Sequence, residues 1–116
     1  MNRYFKRKEF ACKCGCGFDS IDRELVAIIT AVRVHFNAPV TITSGCRCPK
    51  HNAAVGGASK SQHLEGTAAD IQVKGIAPKA VQALLDDLLP HDRYGIGYAS
   101  TFTHIDVRAN GARFNY

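Results

Sequence analysis

The sequence lacks any apolar run long enough to cross a lipid bilayer, which excludes a protein with hydrophobic membrane-spanning helices. It also lacks the apolar segment of a secretory signal, because the basic residues at positions 3–8 are followed by no such stretch. We therefore expect synthesis in the cytoplasm without a signal peptide. Any action outside the cell would need a separate route of release.

Internal repeats, low-complexity segments and linkers are absent from the 116 residues, so we expect a single domain over residues 1–116 and a monomer. A chain of this length buries one modest core. Its net charge of +5 attracts polyanions such as nucleic acid, anionic lipid or anionic cell-wall polymer. The basic residues show no interleaving with aromatic residues and form no basic helix face, so no nucleic-acid partner is expected.

The five cysteines do not form an even set, which argues against a complete disulfide framework. Cys12, Cys14 and Cys16 are closely spaced, and Cys48 could supply a fourth ligand to a structural zinc ion. The Cys-x-Cys spacing is shorter than the usual spacing of zinc ligands. Small buried thiols or a single disulfide therefore remain an equal alternative.

Hydrophobic periodicity predicts two main helices, one after an N-cap at Asp22 and one after Pro78. Residues 44–61 are expected to form a long loop with one helical turn near residues 51–55. Helices that are separate from a mostly antiparallel sheet define a small α+β domain. The strands are expected at residues 40–43, 68–73, 94–98 and 102–107.

Two histidines and one aspartate suggest a zinc site. His63, Asp70 and His104 offer two imidazoles and a carboxylate, and three protein ligands leave a fourth position open, as in catalytic zinc sites. Asp70 lies in an apolar strand, where a buried charge needs a partner or a metal. Taken singly, each residue has an ordinary explanation as a core, surface or salt-bridged side chain. Together, and with Gly66 to turn the backbone, they predict a metal centre.

Strand alternation places Phe102, His104 and Asp106 on one face, which we expect to line a cleft. Asp106 has two possible roles that the sequence does not separate. It could act as the general base, or it could accept a hydrogen bond from a ligand imidazole and fix its tautomer. Glu65 and His51 are further candidates for the general base.

The pattern Ser-x-His-x-x-Gly-x-Ala-x-Asp at residues 61–70, followed by His104, resembles the zinc D-Ala-D-Ala carboxypeptidase and L-alanyl-D-glutamate endopeptidase family, whose fold is shared with the Hedgehog signalling domain. The segment at residues 43–47 resembles the same family, and residues 9–17 and 51–57 resemble its phage and prophage branch. The resemblance implies His63, Asp70 and His104 as zinc ligands and Arg47 as the cation that holds substrate. Ser61 and Gln62 are expected to brace the loop before His63 and to contact substrate.

The resemblance implies a zinc peptidase that cleaves stem peptides of bacterial peptidoglycan, either at D-Ala-D-Ala or at L-Ala-D-Glu. A phage endolysin released through a holin-type pore fits the lack of a secretory signal. Many relatives carry an acid or a histidine two or three residues before the last ligand, where this chain has Phe102 and Thr101. A non-catalytic zinc-containing binding module is therefore the alternative, although Arg47 and Asp106 favour an enzyme.

Overall fold

The computed structural model describes residues 1–116 and contains a five-stranded sheet with three α-helices. The helices are α1 (Arg23–Phe36), α2 (Pro49–Ala54) and α3 (Pro78–Leu88). The strands are β1 (Val40–Ser44), β2 (Ala68–Val73), β3 (Gly95–Tyr98), β4 (Thr103–Asp106) and β5 (Ala112–Asn115). Short 3-10 helices at Arg7–Phe10 and Gln62–Glu65 complete the secondary structure. None of the helices is sufficiently long and apolar to span a membrane.

The strand order is β1-β2-β4-β3-β5, and every neighbouring pair is antiparallel except β3 and β5. Strands β2 and β4 are therefore interior neighbours, with β1 beyond one and β3 beyond the other. This mostly antiparallel sheet with separate helices confirms the predicted α+β class.

The core lies on one face of the sheet because side chains along each strand alternate between its faces. Apolar residues of α1 and α3 pack against Ala69 and Ile71 of β2 and against Ile105 of β4. The alternate positions of the same two strands carry Asp70 and His104. Burial of the apolar face thus fixes which polar side chains point to the opposite face.

The two main helices and the four predicted strands are confirmed, with small shifts at their ends. The helical turn expected near residues 51–55 is α2, which begins at Pro49, with the Cys48 sulfur accepting a hydrogen bond from the His51 amide at 3.4 Å. Strand β5 was not predicted. Its apolar residues Ala112 and Phe114 alternate with Arg113 and Asn115, which was the available signal, but the strand has only four residues and none of them is fully buried.

Gly66 forms the tight exit from the 3-10 helix that carries His63. Its φ of +71° lies in the left-handed region, and a Cβ added to it would lie 2.1 Å from the carbonyl oxygen of Ser20. The Gly66 carbonyl accepts a hydrogen bond of 2.8 Å from the amide of Asp22, the residue that caps α1. This glycine therefore joins the start of α1 to the loop that leads into β2.

We predict that Gly66→Ala destabilises the fold more than Gly56→Ala. Gly56 has a nearly identical φ of +72° but has no atom within 4 Å of an added Cβ. Both changes should incur the left-handed backbone cost of about 1–2 kcal/mol. Only Gly66→Ala should add a clash with backbone, worth about 1–3 kcal/mol. Urea unfolding of the two variants measures the difference, and equal losses would contradict this account of the turn.

Candidate metal centre

Three potential metal ligands meet on the sheet face opposite the apolar core. His63 lies in the 3-10 helix before β2, Asp70 lies within β2, and His104 lies in β4. Asp70 and His104 are direct partners in the antiparallel β2–β4 pair. All three side chains are buried, and one ligand atom from each lies within 4.8 Å of the others. The structure thus brings together the three residues that the sequence singled out.

The ring of His63 is oriented by the backbone of the loop after β1. Its Nδ1 lies 2.7 Å from the carbonyl oxygen of Gly45, which can only accept a hydrogen bond, so Nδ1 carries the proton. The other nitrogen, Nε2, is buried without a hydrogen-bond partner and lies 3.3 Å from Oδ1 of Asp70. A buried polar atom of this kind needs an explanation, and a metal ion provides one.

His104 is held in the same way, but through its opposite nitrogen. Its Nε2 lies 2.7 Å from Oδ2 of Asp106, and its Nδ1 lies 3.0 Å from Oδ1 of Asp70. Burial opposes protonation of His104, but Asp106 and Asp70 outweigh this and raise its pKa. Both nitrogens therefore tend to be protonated when no metal is present. A metal at Nδ1 would take the place of one proton, while Nε2 continues to donate to Asp106.

The donor set and its spacing fit zinc. Ligand distances of about 2.0–2.1 Å in a tetrahedral site correspond to separations of about 3.3 Å between ligand atoms. Oδ1 of Asp70 lies 3.3 Å from Nε2 of His63 and 3.0 Å from Nδ1 of His104. Burial raises the pKa of Asp70, but His104 and His63 together lower it to about 2, so the carboxylate is ionised at neutral pH.

Arg47 contacts the second oxygen of Asp70. Its Nη2 lies 3.3 Å from Oδ2 of Asp70, its Nε donates to Ser44 Oγ at 2.9 Å, and its Nη1 donates to Asn52 Oδ1 at 3.3 Å. A guanidinium has five N–H groups, so these contacts leave two of them free to bind a ligand. Asn52 is itself buried and fixed by a hydrogen bond to Ala58 O.

Asp106 lies beneath His104 and does not line the cleft. The expectation that Phe102, His104 and Asp106 all face the cleft is therefore wrong for Asp106. The side chain is fully buried. Its Oδ1 accepts a hydrogen bond of 2.7 Å from Nε of Arg108, and its Oδ2 accepts from both Arg108 and His104. Burial raises the pKa of Asp106, but Arg108 and His104 together lower it strongly. The carboxylate is therefore charged and fully engaged.

Two glycines of β3 make room for this arrangement. A Cβ on Gly95 would lie 2.2 Å from the Asp106 carboxylate, and one on Gly97 would lie 2.8 Å from Cβ of His104 and 2.7 Å from the ring of Phe114. Both glycines were predicted to lie in a strand, with no role assigned to them. The available signal was that the two glycines are two residues apart and so lie on the same face of the strand. This signal was not sufficient, because only the pairing of β3 with β4 shows that they face Asp106 and His104.

The three ligands line a cavity of about 630 Å³. Asp70 is the only acidic side chain in its lining, whereas Glu65 and His51 do not line it. Ser61 and Gln62 are present as expected, and Ser61 Oγ also accepts a hydrogen bond from the His63 amide at 3.2 Å. The remaining charged and aromatic residues of the cavity wall were not predicted to bind substrate. These are Lys60, Arg108, Phe102, Phe114 and Tyr116.

Comparison with known protein families shows the family to which the chain belongs. Residues 3–106 match a family model described as Peptidase M15. The chain belongs to this peptidase family. The resemblance drawn from the motif is thereby confirmed at the family level, and membership indicates a metallopeptidase. No curated protein sequence shows significant similarity to the chain. In this M15 chain, Arg108 and β5 lie beyond the matched residues and supply part of the cavity wall.

We predict that Asp106→Asn weakens zinc binding at the histidines by about 10–100-fold, the usual effect of losing a carboxylate that orients a ligand imidazole. The imidazole ¹⁵N resonances of His63 and His104, followed during zinc competition with a chelator, report this site alone. Asp86→Asn is the matched control, because Asp86 lies on α3, accepts a hydrogen bond from the Tyr98 hydroxyl of β3 and lies outside the cavity lining. An unchanged affinity in Asp106→Asn would contradict the supporting role.

Proposed function

We propose that this M15 chain is a zinc-dependent peptidase that hydrolyses amide bonds in the stem peptides of bacterial peptidoglycan. The observation that carries the proposal is the unpartnered Nε2 of His63, buried beside Asp70 and His104 in the wall of a cavity. A structural role would not require three buried ligand atoms to converge next to space for a substrate. Three protein ligands with an open position are typical of catalytic zinc sites.

In the proposed site, His63 would hold zinc through Nε2, His104 through Nδ1 and Asp70 through Oδ1, the atoms that face one another. Bound zinc would supply Lewis acidity for attack on the amide carbonyl. The protein residues keep the ligands oriented. The Gly45 carbonyl and the Asp106 carboxylate each accept from the imidazole nitrogen that faces away from Asp70, which fixes the ring positions before substrate arrives.

Arg47 is the proposed substrate-binding cation. Its two free N–H groups can bind a substrate carboxylate or the oxyanion that develops during hydrolysis. Lys60 and Arg108 also line the cavity, so its wall carries three cations against the single carboxylate of Asp70. This positive charge suits the acidic stem peptides of peptidoglycan. Ser61 and Gln62, which we propose contact the substrate, line the same cavity.

Asp106 is assigned as a positioning residue rather than the general base, because both of its oxygens are occupied and it is fully buried. The only acidic side chain of the cavity wall is Asp70, which is itself a proposed metal ligand, so no acidic side chain remains to act as the general base. This observation favours the second candidate function, a zinc-containing module that binds cell wall or protein without cleaving it. Release of new termini from peptidoglycan separates the two functions.

The biological role that we propose is that of a phage or prophage endolysin, which acts on the cell wall after release through a holin-type pore. The N-terminal segment at residues 9–17 resembles the phage branch and supports this role. The bond cleaved is either D-Ala-D-Ala or L-Ala-D-Glu. Mass spectrometry of digested muropeptides identifies it directly, because each cleavage yields fragments of different mass.

We predict that His63→Ala and Asp70→Ala each abolish the release of new amino or carboxyl termini from purified peptidoglycan. Each change removes one of three ligands, so the metal loses its coordination. His35→Ala is the matched control, since His35 is an exposed residue late in α1, outside the cavity lining, whose ring contacts that of Phe36. Retained activity in either variant would exclude the site, and inactivity of the zinc-loaded wild type would favour the binding module.

We predict that Arg47→Ala lowers kcat/KM by about 100-fold or more, as loss of a preorganised donor to a developing oxyanion does. Arg47→Lys should recover only part of the activity, because an ammonium keeps the charge but loses the fork of parallel donors. Arg23→Ala, an exposed arginine at the start of α1, is the control. Steady-state assays on a defined stem peptide measure the effect. Wild-type kinetics in Arg47→Ala would contradict the assigned role.

A further inference from the structure

A second cluster of potential metal ligands involves four of the five cysteines. Cys12, Cys14 and Cys16 belong to the N-terminal loop after the first 3-10 helix, and Cys48 directly precedes α2. Their four sulfur atoms all lie within 4.8 Å of one another. None of these residues lines the cavity beside His63, so the cluster is separate from the peptidase site.

The spacing of the sulfur atoms matches a tetrahedral thiolate site. Zinc–sulfur bonds of about 2.3 Å correspond to separations of about 3.8 Å between sulfur atoms. The sulfur of Cys12 lies 3.5 Å from that of Cys14 and 3.9 Å from that of Cys48, and the sulfurs of Cys14 and Cys48 are 3.6 Å apart. The cysteines are free thiols, with no disulfide among them.

Cys46 accounts for the odd number of cysteines. It is buried and does not belong to the cluster. It therefore acts as a small apolar side chain of the core and not as a ligand. The remaining four cysteines are the number that a closed structural zinc site requires.

The surrounding backbone is arranged to support thiolate charge. The amide of Cys48 donates to the sulfur of Cys12 at 3.4 Å, and the amide of His51 donates to the sulfur of Cys48 at 3.4 Å. The amide N–H groups of Cys48 and His51 stabilise the ionised form of the sulfur atoms that accept their hydrogen bonds. Gly15 and Gly17 have φ values of +82° and +93°, which fold the loop around the cluster.

We propose that Cys12, Cys14, Cys16 and Cys48 bind a structural zinc ion. Each thiol releases its proton on binding, so four thiolates hold one divalent cation. The ion closes a loop between the N-terminal segment and the start of α2. Because no binding position remains for substrate in a site with four thiolates, its role is to stabilise the fold.

The proposed structural zinc site lies next to the segment that carries Gly45 and Arg47 of the peptidase site. The Cys46 amide donates to the Phe10 carbonyl at 2.8 Å, and an added Cβ on Gly45 would lie 2.5 Å from the same oxygen. The Gly45 carbonyl orients His63, and Arg47 immediately precedes Cys48. A zinc ion between the two segments would therefore hold the N-terminal loop against the backbone that places both side chains.

Cobalt substitution tests the site without relying on activity. Cobalt bound to thiolates gives an intense ligand-to-metal charge-transfer band, whereas cobalt bound by imidazoles and a carboxylate does not. We expect the wild type to bind two equivalents and to show the band, in line with the two ligand clusters. His63→Ala should bind one equivalent and keep the band, whereas Cys14→Ser should lose it.

Thiol counting and unfolding keep the test decisive if Cys14→Ser does not fold. In zinc-loaded His63→Ala, the four clustered thiols should resist alkylation until a chelator is added, and the chelator should lower the melting temperature. The proposal is overturned if reduced wild-type protein gives no charge-transfer band, if alkylation is independent of zinc, or if freshly purified protein contains a disulfide within the cluster. None of these outcomes affects the proposed peptidase site.

Discussion

The buried carboxylate of Asp70 is the interaction on which the arrangement of the site depends. A charge in the middle of an apolar strand is costly unless it is paired. Here the pairing is divided between its two oxygens, with Oδ1 facing His63 and His104 and Oδ2 facing Arg47. The same carboxylate thus connects the proposed metal centre to the proposed substrate-binding cation, and displacing it would disturb both.

The sheet holds this carboxylate in place by several independent constraints. Pairing of β2 with β4 places His104 opposite Asp70, and the apolar residues that alternate with them pack into the core. Gly97 leaves room for the imidazole, and Asp106 with Arg108 fixes its outer nitrogen. On the other side, Gly45 sets the orientation of the His63 ring. Each ligand imidazole is therefore oriented by groups that do not themselves take part in the proposed chemistry.

Local patterns in the sequence predicted much of this structure. The cap at Asp22 and the apolar stripes predicted the two main helices, and strand alternation correctly placed Phe102 and His104 on one wall of the cavity. The motif from Ser61 to Asp70 with His104 predicted which three side chains converge, because a histidine, a turn glycine and a buried carboxylate at fixed spacing constrain the chain strongly.

Features that depend on distant contacts could not be predicted in this way. Alternation gave the face of Asp106 but not its depth, which follows from the guanidinium of Arg108 and the absence of a side chain on Gly95. Strand β5 and the contact between Asn52 and Arg47 likewise depend on tertiary packing. The clustering of Cys48 with residues 12–16 requires two segments that are remote in the sequence to meet, and spacing alone left it open.

Anomalous diffraction at the zinc edge from crystals grown with zinc tests the central claim most directly. The account predicts a zinc ion bonded to Nε2 of His63, Nδ1 of His104 and Oδ1 of Asp70, at about 2.0–2.2 Å from each. The hydrogen bonds from His63 Nδ1 to Gly45 and from His104 Nε2 to Asp106 should be retained. A map without a zinc peak among these three atoms, or with zinc bonded to the opposite nitrogen of either ring, would contradict it.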